Sequence, residues 1–362
     1  MGEFDLIARH FQRPAGRAAS GRAASGRAAS GRAASGRAAS GRAASGRAAS
    51  GRAPLGIGDD CALLAPSPGL QLAVSSDMLV EGQHFIAGTD PEGLGHKALA
   101  VNLSDLAACG ASPLAFTLAL ALPRADDAWL SAFARGMFAL ADAHGCELVG
   151  GDTTRGPLTI CITVMGEVPP GQALLRSGAQ VGDDLYVSGT LGDARLALEA
   201  LQGRIRLPAE VLEPARQRLE RPTPRNALGL ALRGLATSAI DVSDGLLGDL
   251  GHVLKASGTG ATVLAHDAIK LIAASACLVS AGGQFDSDFL LERVLAGGDD
   301  YELAFTAAPA ARARIAAAAH AANTPVSRIG HIDAEPGLRV VDGGGKPLAL
   351  SFASFDHFLH SD

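Results

Sequence analysis

Aspartates follow glycines or hydroxyl residues at several places in the sequence, where apolar segments begin or end. Three glycine-acid turns lie in the stretches GIGDDCALL (56–64), VGGDTTRG (149–156) and AGGDDYELAF (296–305). The aspartates in such settings are Asp60 and Asp152 after glycines, Asp77 after Ser75 and Ser76, and Asp241 and Asp244 around Ser243. Carboxylate and hydroxyl oxygens without histidine or cysteine clusters favour Mg²⁺ over Zn²⁺. Because phosphates usually complete the shell of protein-bound Mg²⁺, the pattern indicates phosphate chemistry.

Asp105 is the most informative acid because its segment, KALAVNLSDLAACG, is otherwise apolar. The spacing predicts a helix that carries Asn102 one turn before Asp105 on the same face. A lone buried carboxylate is costly, and the nearest cation, Lys97, is two turns away and off that face. A divalent cation shared with other acids would resolve this cost.

Each of these sites also has a purely structural interpretation. Aspartate after glycine is common in turns, and the SDG at 243–245 could cap a helix. The sequence contains neither a Walker A motif nor a kinase-type glycine loop before a Val-Ala-Ile-Lys lysine. GTLGDA (189–194) is only a weak phosphate-loop signal. The residues alone therefore predict a Mg²⁺-dependent, phosphate-handling α/β enzyme and leave its substrate open.

Apolar segments of strand and helix length alternate from residue 54 onward, which predicts an α/β fold of the α+β type in two halves. In the first half we predict strands at 70–77, 114–123, 146–152 and 158–168, and helices at 93–113 and 126–145. The predicted organisation is an N-terminal segment of the first domain at 1–15, a repeat insertion at 16–53, the rest of the first domain at 54–169, and a second domain at 170–362.

Residues 16–50 are seven tandem copies of GRAAS, followed by GRA at 51–53. A five-residue period moves each arginine by about 140° around a helix, so no basic face forms, and each glycine costs about 1 kcal/mol there. With nothing larger than alanine to bury, the tract is predicted to be a disordered, inert insertion. Weak contact with polyanions is the alternative.

Charge and composition exclude several classes of protein. Without the eight arginines of the repeat tract, the 31 basic residues fall to 23 against 37 acids, a net charge of −14. An acidic body argues against nucleic acid as the main partner. No apolar run approaches about 18 residues, so no membrane span is expected, and the start lacks the features of a secretory signal. The five scattered cysteines are expected to be reduced core residues of a cytoplasmic protein.

Seven stretches together resemble the thiamine-monophosphate kinases in order and spacing: GEFDLIARHF, GIGDDCALL, VNLSDLAACGASP, GGDTTRGPL, RSGAQVGDDLYVSG, SAIDVSDGLLGDL and GGDDYEL. The resemblance covers the chain except the repeat tract. It implies a two-domain fold like that of aminoimidazole ribonucleotide synthetase, in which the N-terminal domains of a homodimer close a barrel from both subunits. It also implies that ATP lies between the domains and that its γ-phosphoryl group is transferred to thiamine monophosphate, giving thiamine diphosphate, the last step of thiamine diphosphate biosynthesis.

The resemblance assigns roles to individual residues. It implies several Mg²⁺ ions held by Asp60, Ser75, Ser76, Asp77, Asp105, Asp152, Asp241 and Asp244. It implies ATP contacts from Gly151, Asp152, Arg176 and Ser243, and contacts to the thiamine substrate from His84, Asp299 and Phe352. Asp299 and Phe352 stand where glutamate and tryptophan are more usual in the family.

The implied mechanism needs no protein acid or base. The second pKa of the substrate phosphate is about 6, so the nucleophilic oxygen is already ionised at neutral pH. Catalysis would then consist of positioning, charge neutralisation and in-line transfer without a phosphoenzyme. The alternatives are another ATP-dependent synthetase of the same superfamily, and a non-catalytic cation-binding homologue.

Overall fold

The computed structural model describes residues 3–12, 52–57, 60–274, 277–278 and 285–349. Phe352 and residues 16–51 of the repeat tract lie outside this range. The helices are α1 Glu3–His10, α2 Pro91–Ala108, α3 Asp127–His144, α4 Asp193–Leu201, α5 Ala209–Glu220, α6 Asn226–Leu232, α7 Leu246–Ser257, α8 Ala265–Ala268, α9 Ser287–Ala296 and α10 Arg312–Ala321. The strands are β1 Gln71–Val80, β2 Ser112–Leu122, β3 Glu147–Arg155, β4 Thr159–Val168, β5 Asp184–Ser188, β6 Ser238–Val242, β7 Gly260–Leu264, β8 Glu302–Ala307, β9 Val326–Asp333 and β10 Gly337–Val341.

The first half of the chain forms a four-stranded sheet in the order β1-β4-β2-β3. Only the β2–β3 pair is parallel. Helices α2 and α3 cover one face, where Leu99, Phe116 and Phe133 are fully buried. Helix α2 also contacts α6 and β6 of the second half, so it is buried around most of its circumference. This explains why its sequence is apolar on nearly every side, and it places α2 where the two halves meet.

On strand β1, exposed and less exposed side chains alternate, which shows which residues lie on the other face of this sheet. Leu72, Val74 and Met78 are 45%, 62% and 54% exposed on this strand. Ser75 and Asp77, one residue out of phase, turn toward α2. Alternate residues of a strand point to opposite faces, so Leu72, Val74 and Met78 lie on the exposed side of β1, and Ser75 and Asp77 lie on its inner side.

The second half forms a six-stranded sheet in the order β10-β7-β9-β5-β8-β6. Every residue of β5, β6 and β8 is buried, including the acids Asp184, Asp241 and Glu302, so these strands hold buried polar groups within an otherwise mainly apolar sequence. Leu185, Val242, Leu290 and Ile329 lie in its core. Strand β6 is at the edge, and its turn into α7 carries Ser243 and Asp244.

The structure confirms the mixed α/β architecture and most predicted elements, with some differences. Strand β1 runs on to Val80, so Asp77 lies inside the strand and not at its end. The predicted helix at 93–113 ends at Ala108, and β2 starts at Ser112, because Gly110 adopts a positive φ of 64°. Helix α5, strand β7 and helix α9 were not predicted; α5 contains Pro214, which is a helix-breaking signal in sequence.

Two other expectations need correction. The five cysteines are free, but only Cys146 is buried, while Cys61 and Cys277 are exposed. Cys161 pairs with Met78 and faces the exposed side of the first sheet. Apolar neighbours in the sequence therefore did not imply that a cysteine is buried. The last two residues of the predicted disordered tract are packed: Ala53 is buried, and Arg52 donates to Glu167 at 3.1 Å. Among the described helices, none combines the length and apolar character needed to span a membrane.

A buried ionic cluster lies beneath the loop that precedes β8. Glu302 is fully buried and accepts from Arg225 through both oxygens, at 2.6 and 2.5 Å. Arg218 donates to the same carboxylate at 2.5 Å and Ser188 at 2.6 Å. Two guanidinium groups therefore depend on one buried charge.

Removing the charge of Glu302 should make the protein less stable. We expect Glu302→Gln to lower the free energy of unfolding by about 3–5 kcal/mol, because two arginines lose their shared counter-ion. Chemical denaturation followed by circular dichroism measures this. Glu213→Gln, on the exposed side of α5, is the control and should change stability by less than about 0.5 kcal/mol. Equal effects in the two variants would contradict the role of the cluster.

Candidate active site

Four of the predicted aspartates line one cleft between the two sheets. Its volume is about 400 Å³, and its walls include Asp77, Asp105, Asp241 and Asp244. The residues come from β1, α2, β6 and the turn after β6. Acids from distant parts of the chain therefore converge, as the pattern of glycine-acid and serine-acid turns predicted for this group.

Strand β1 and helix α2 position the first pair. The Asp77 amide donates to Asn102 Oδ1 at 3.1 Å, and Ser75 Oγ donates to Asp105 Oδ2 at 2.5 Å. Asn102 and Asp105 are three residues apart on α2, so both face β1. The predicted pairing of these helix positions on one face is confirmed.

The second pair comes from the six-stranded sheet. Asp241 is 7% exposed on β6 and accepts from Ser104 Oγ of α2 at 2.8 Å. The turn that follows carries Ser243 and Asp244 to the cleft. Serine hydroxyls from the first half thus satisfy one oxygen on Asp105 and one on Asp241, and the cleft is shared by both halves.

Burial and mutual repulsion shape the protonation of these acids. Burial, then the charges of Asp105 and Asp244, raise the pKa of Asp77 to about 6. Burial, then Asp105, raises the pKa of Asp241 to about 8. Burial also raises the pKa of Asp105, although the Ser75 hydrogen bond and the Arg176 charge oppose this shift. Without a cation, the ionised form of the cleft is disfavoured.

The donor set suits a hard cation, since it consists of carboxylates and hydroxyls. Within the part of the chain that the structure describes, no three His, Cys, Asp or Glu side chains are grouped closely enough to hold a metal ion by themselves.

A second hollow of about 320 Å³ opens beside the acidic cleft and shares His84 and Asp299 with it. Its walls are largely apolar and include Phe85, Leu94 and Leu219. A molecule with a phosphate at one end and an uncharged ring at the other would fit the junction of these two chemically different spaces.

The polar groups at this junction are fixed by hydrogen bonds. Lys97 is 3% exposed, and its Nζ lies 2.7 Å from Asp299 Oδ1 and 3.4 Å from the His84 carbonyl oxygen. The Val80 amide donates to His84 Nδ1 at 3.0 Å, so the neutral imidazole carries its proton on Nε2. Tyr301 Oη donates to Asp299 at 3.2 Å. Lys97 indeed lies off the face of Asp105; its partner is Asp299.

The remaining predicted residues lie elsewhere. Asp60, Gly151 and Asp152 line a separate cavity of about 780 Å³ on the first sheet. Ser76 points to the exposed face, where Oγ lies 3.0 Å from Thr163 Oγ1. Within one chain, the set carried over from the resemblance is therefore divided between two places.

Two further predicted residues have different outcomes. Arg176 is exposed in the segment between the sheets, and its charge reaches Asp105. Phe352 lies outside the described residues.

Sequence reasoning missed three residues that the site contains or depends on. Tyr301 and Arg195 line the cleft, and Asp249 holds the turn at Ser243 and Asp244. Asp249 had a readable signal, since it is an acid in the first turn of the helix that the SDG at 243–245 could cap, where the backbone amides lack partners within the helix. Tyr301 and Arg195 had none, because only the folded chain brings them to the cleft.

Two family models match successive parts of the chain. Residues 58–168 match the family described as AIR synthase related protein, N-terminal domain. Residues 180–343 match the AIR synthase related protein, C-terminal domain. The hydrogenase maturation protein HypE of E. coli shares the fold, with a TM-score of 0.67 at 21% identity over 84% of this chain and 94% of that one.

Relatives with higher sequence identity indicate the family within this group of proteins. The thiamine-monophosphate kinase of Salmonella typhimurium is 46% identical over 305 residues, 84% of this chain and 91% of that protein. That of Haemophilus influenzae is 38% identical over 369 residues, which span 100% of this chain and 99% of that protein. The chain belongs to the thiamine-monophosphate kinase family.

Solved structures agree with this assignment. The thiamine-monophosphate kinase of Stenotrophomonas maltophilia has a TM-score of 0.74 and 48% identity, covering 82% of this chain and 93% of that one. A structure described as AaThiL complexed with AMPPCP and TMP has a TM-score of 0.67 and 28% identity, covering 81% and 89%.

The raised pKa of Asp77 predicts how the metal-free protein responds to pH. The pKa is 3.8 in the unfolded chain and about 6 in the fold, so the folded state binds the extra proton between these values. This contribution to stability is complete below pH 3.8 and is lost as pH rises through 6. Removing the charge of Asp105 should lower the pKa of Asp77 and reduce this loss.

The measurement compares wild type with Asp105→Asn in excess chelator. Carboxyl NMR gives the pKa of Asp77, and chemical denaturation at pH 4.5 and 7.5 gives the free energy of unfolding. We expect the variant to gain stability relative to wild type as pH rises. An unchanged pKa of Asp77 would show that the two carboxylates do not interact.

Proposed function

We propose that the protein transfers the γ-phosphoryl group of ATP to thiamine monophosphate, giving thiamine diphosphate and ADP. The observation that carries this proposal is the acidic cleft joined to an apolar hollow at His84 and Asp299. The cleft suits metal-bound phosphates, and the hollow suits the rings of thiamine. The names of the relatives, and the complex of one homologue with AMPPCP and TMP, support this choice of substrates.

The chemistry follows from charge. The phosphate of thiamine monophosphate is largely dianionic at neutral pH and needs no protein base. The difficulty is the repulsion between this anion and the triphosphate of ATP. Bound Mg²⁺ would supply neutralisation of that charge. The protein would contribute oxygen ligands, the positive charge of Arg176, and a fixed direction of approach for in-line transfer.

We assign the cation-binding role in the cleft to Asp77, Asp105, Asp241 and Asp244, with Ser75 orienting Asp105. We assign an ATP contact to Ser243, which lines the cleft, and substrate contacts to His84 and Asp299, which line both the cleft and the hollow. The apolar wall of the hollow near Phe85 would hold the uncharged part of the substrate. Any contact from Phe352 stays a prediction from the resemblance.

We also propose that the protein is a homodimer joined through the exposed face of the first sheet. Leu72, Val74 and Met78 form an apolar row on its edge strand β1, and such rows are usually covered in an assembly. The register places Met78, Cys161, Ala119 and Asp152 in one row across the sheet, on this same face. A dimer would therefore enclose Asp152 and Ser76, the two predicted ligands that point away from the cleft.

The first test is direct. Incubation with ATP, Mg²⁺ and thiamine monophosphate should give thiamine diphosphate, identified by chromatography. Another synthetase of the superfamily would leave thiamine monophosphate unchanged but consume ATP with a different acceptor. A non-catalytic homologue would do neither.

Asp105→Asn should lower kcat/KM for this reaction by at least about 100-fold, because it removes ligand charge with little change of volume. It should also abolish the rise in Tm that Mg²⁺ with ATP produces in wild type. Asp267→Asn, whose carboxylate pairs with Lys270 on the surface, is the control and should match wild type. Near-normal turnover of Asp105→Asn at limiting Mg²⁺ would contradict the assignment.

Val74→Asp should convert the dimer to a monomer, because it places a charge in the middle of the apolar row. Sedimentation velocity gives the mass. Val181→Asp is the matched control, since Val181 is 61% exposed but lies outside the sheet. A wild-type protein that sediments as a monomer, or equal behaviour of both variants, would rule out this interface.

A further inference from the structure

Asp249 of α7 occupies a nest of three backbone amides. Its Oδ2 accepts from the amides of Ser243, Asp244 and Gly245 at 3.0, 3.1 and 3.2 Å. The residue is 5% exposed. These amides precede the helix, so the carboxylate fixes the turn as well as the helix start. Burial, then the nearby charge of Asp244, raises the pKa of the Asp249 carboxyl, and the three amide donors oppose that shift only in part.

The same turn is held from its other side by the loop before β8. The Asp299 amide donates to the Ser243 carbonyl oxygen at 2.8 Å, and the Tyr301 amide donates to the Val242 carbonyl oxygen at 2.8 Å. Asp299 and Tyr301 have φ values of 69° and 52°, and residues other than glycine rarely adopt such positive values without supporting contacts. The position of Asp299 thus depends on the position of the turn.

Space around the turn is limited. Gly245 has a φ of 115°, and a Cβ atom there would come within 2.9 Å of the Ala296 carbonyl carbon. A Cβ on Gly298 would come within 2.5 Å of the Ser243 carbonyl oxygen. With so little room, the turn cannot shift without moving the segment that carries Asp299.

We infer that Asp249 is a positioning residue that sets the turn at Ser243–Asp244 and, through the Ser243 carbonyl, the placement of Asp299, so that the two ends of the cleft keep one spacing. This inference rests on the proposed function for its kinetic consequence. The alternative is that Asp249 only stabilises α7, as any acid near a helix N-terminus does.

Three variants separate position from charge. Asp249→Asn keeps an acceptor oxygen at the same distance, whereas Asp249→Glu keeps the charge but is one methylene too long for the nest. Asp249→Ala removes the acceptor. If position matters, kcat/KM for thiamine monophosphate should fall by about 10- to 100-fold in the variants Asp249→Glu and Asp249→Ala. In Asp249→Asn it should stay within about threefold of wild type. The Mg²⁺ concentration for half-maximal rate should rise in parallel.

Asp126→Ala is the matched control, because Asp126 also accepts a helix-start amide, from Trp129 at 3.1 Å, but lies at the start of α3 outside the cleft. It should lower Tm without changing kcat/KM. If Asp249→Ala does not fold, Asp249→Asn and Asp249→Glu still decide the question. Full activity in Asp249→Glu with loss in Asp249→Asn would overturn the inference, since charge and not position would then matter. Full activity in both would overturn it too.

A readout without turnover keeps this test separate from the proposed function. Amide hydrogen exchange of Asp299 and Tyr301 should become at least about tenfold faster in Asp249→Glu and remain near wild type in Asp249→Asn and Asp126→Ala. If the wild-type protein makes no thiamine diphosphate but this exchange pattern holds, the proposed function fails and the positioning role stands. Unchanged exchange in Asp249→Glu would contradict the role of Asp249 directly.

Discussion

The repulsion among buried carboxylates is the constraint on which the cleft depends. The charge of Asp105 raises the pKa of Asp77, and the charges of Asp105 and Asp77 raise the pKa of Asp241. A fold that kept these groups only for its own stability would gain by losing them. Their presence is reasonable where a polyvalent cation offsets their negative charge, because the electrostatic repulsion in the metal-free protein then favours binding of the cation.

The architecture serves this arrangement by placing one helix between two sheets. Helix α2 supplies Asp105 to the cleft, Ser104 to Asp241 and Lys97 to Asp299. It therefore contributes to the acidic side, to the second sheet and to the substrate side at once. Because α2 is buried around most of its circumference, these polar contacts are specific: each buried polar atom needs its own partner.

Much of this could be predicted from sequence because it rests on local patterns. Alternating apolar segments predicted most strands and helices, and the Asn102–Asp105 spacing predicted that both would face one neighbour. Both the sequence pattern and the family resemblance grouped Asp60 and Asp152 with Asp77, but in a single chain they lie in another cavity. Whether they meet depends on assembly, which periodicity does not encode. The pairing of Lys97 with Asp299, 202 residues apart in the chain, likewise had no local signal.

The alternation along β1 has a consequence for how this protein tolerates change. Ser75 and Asp77 turn toward α2, and Ser76 between them lies on the outer face. A register shift of one residue in this strand would turn the Asp77 carboxylate outward and Val74 toward α2. Insertion or deletion of one residue between Leu72 and Val80 is therefore incompatible with the cleft, whereas a substitution there leaves the direction of every other side chain of the strand unchanged.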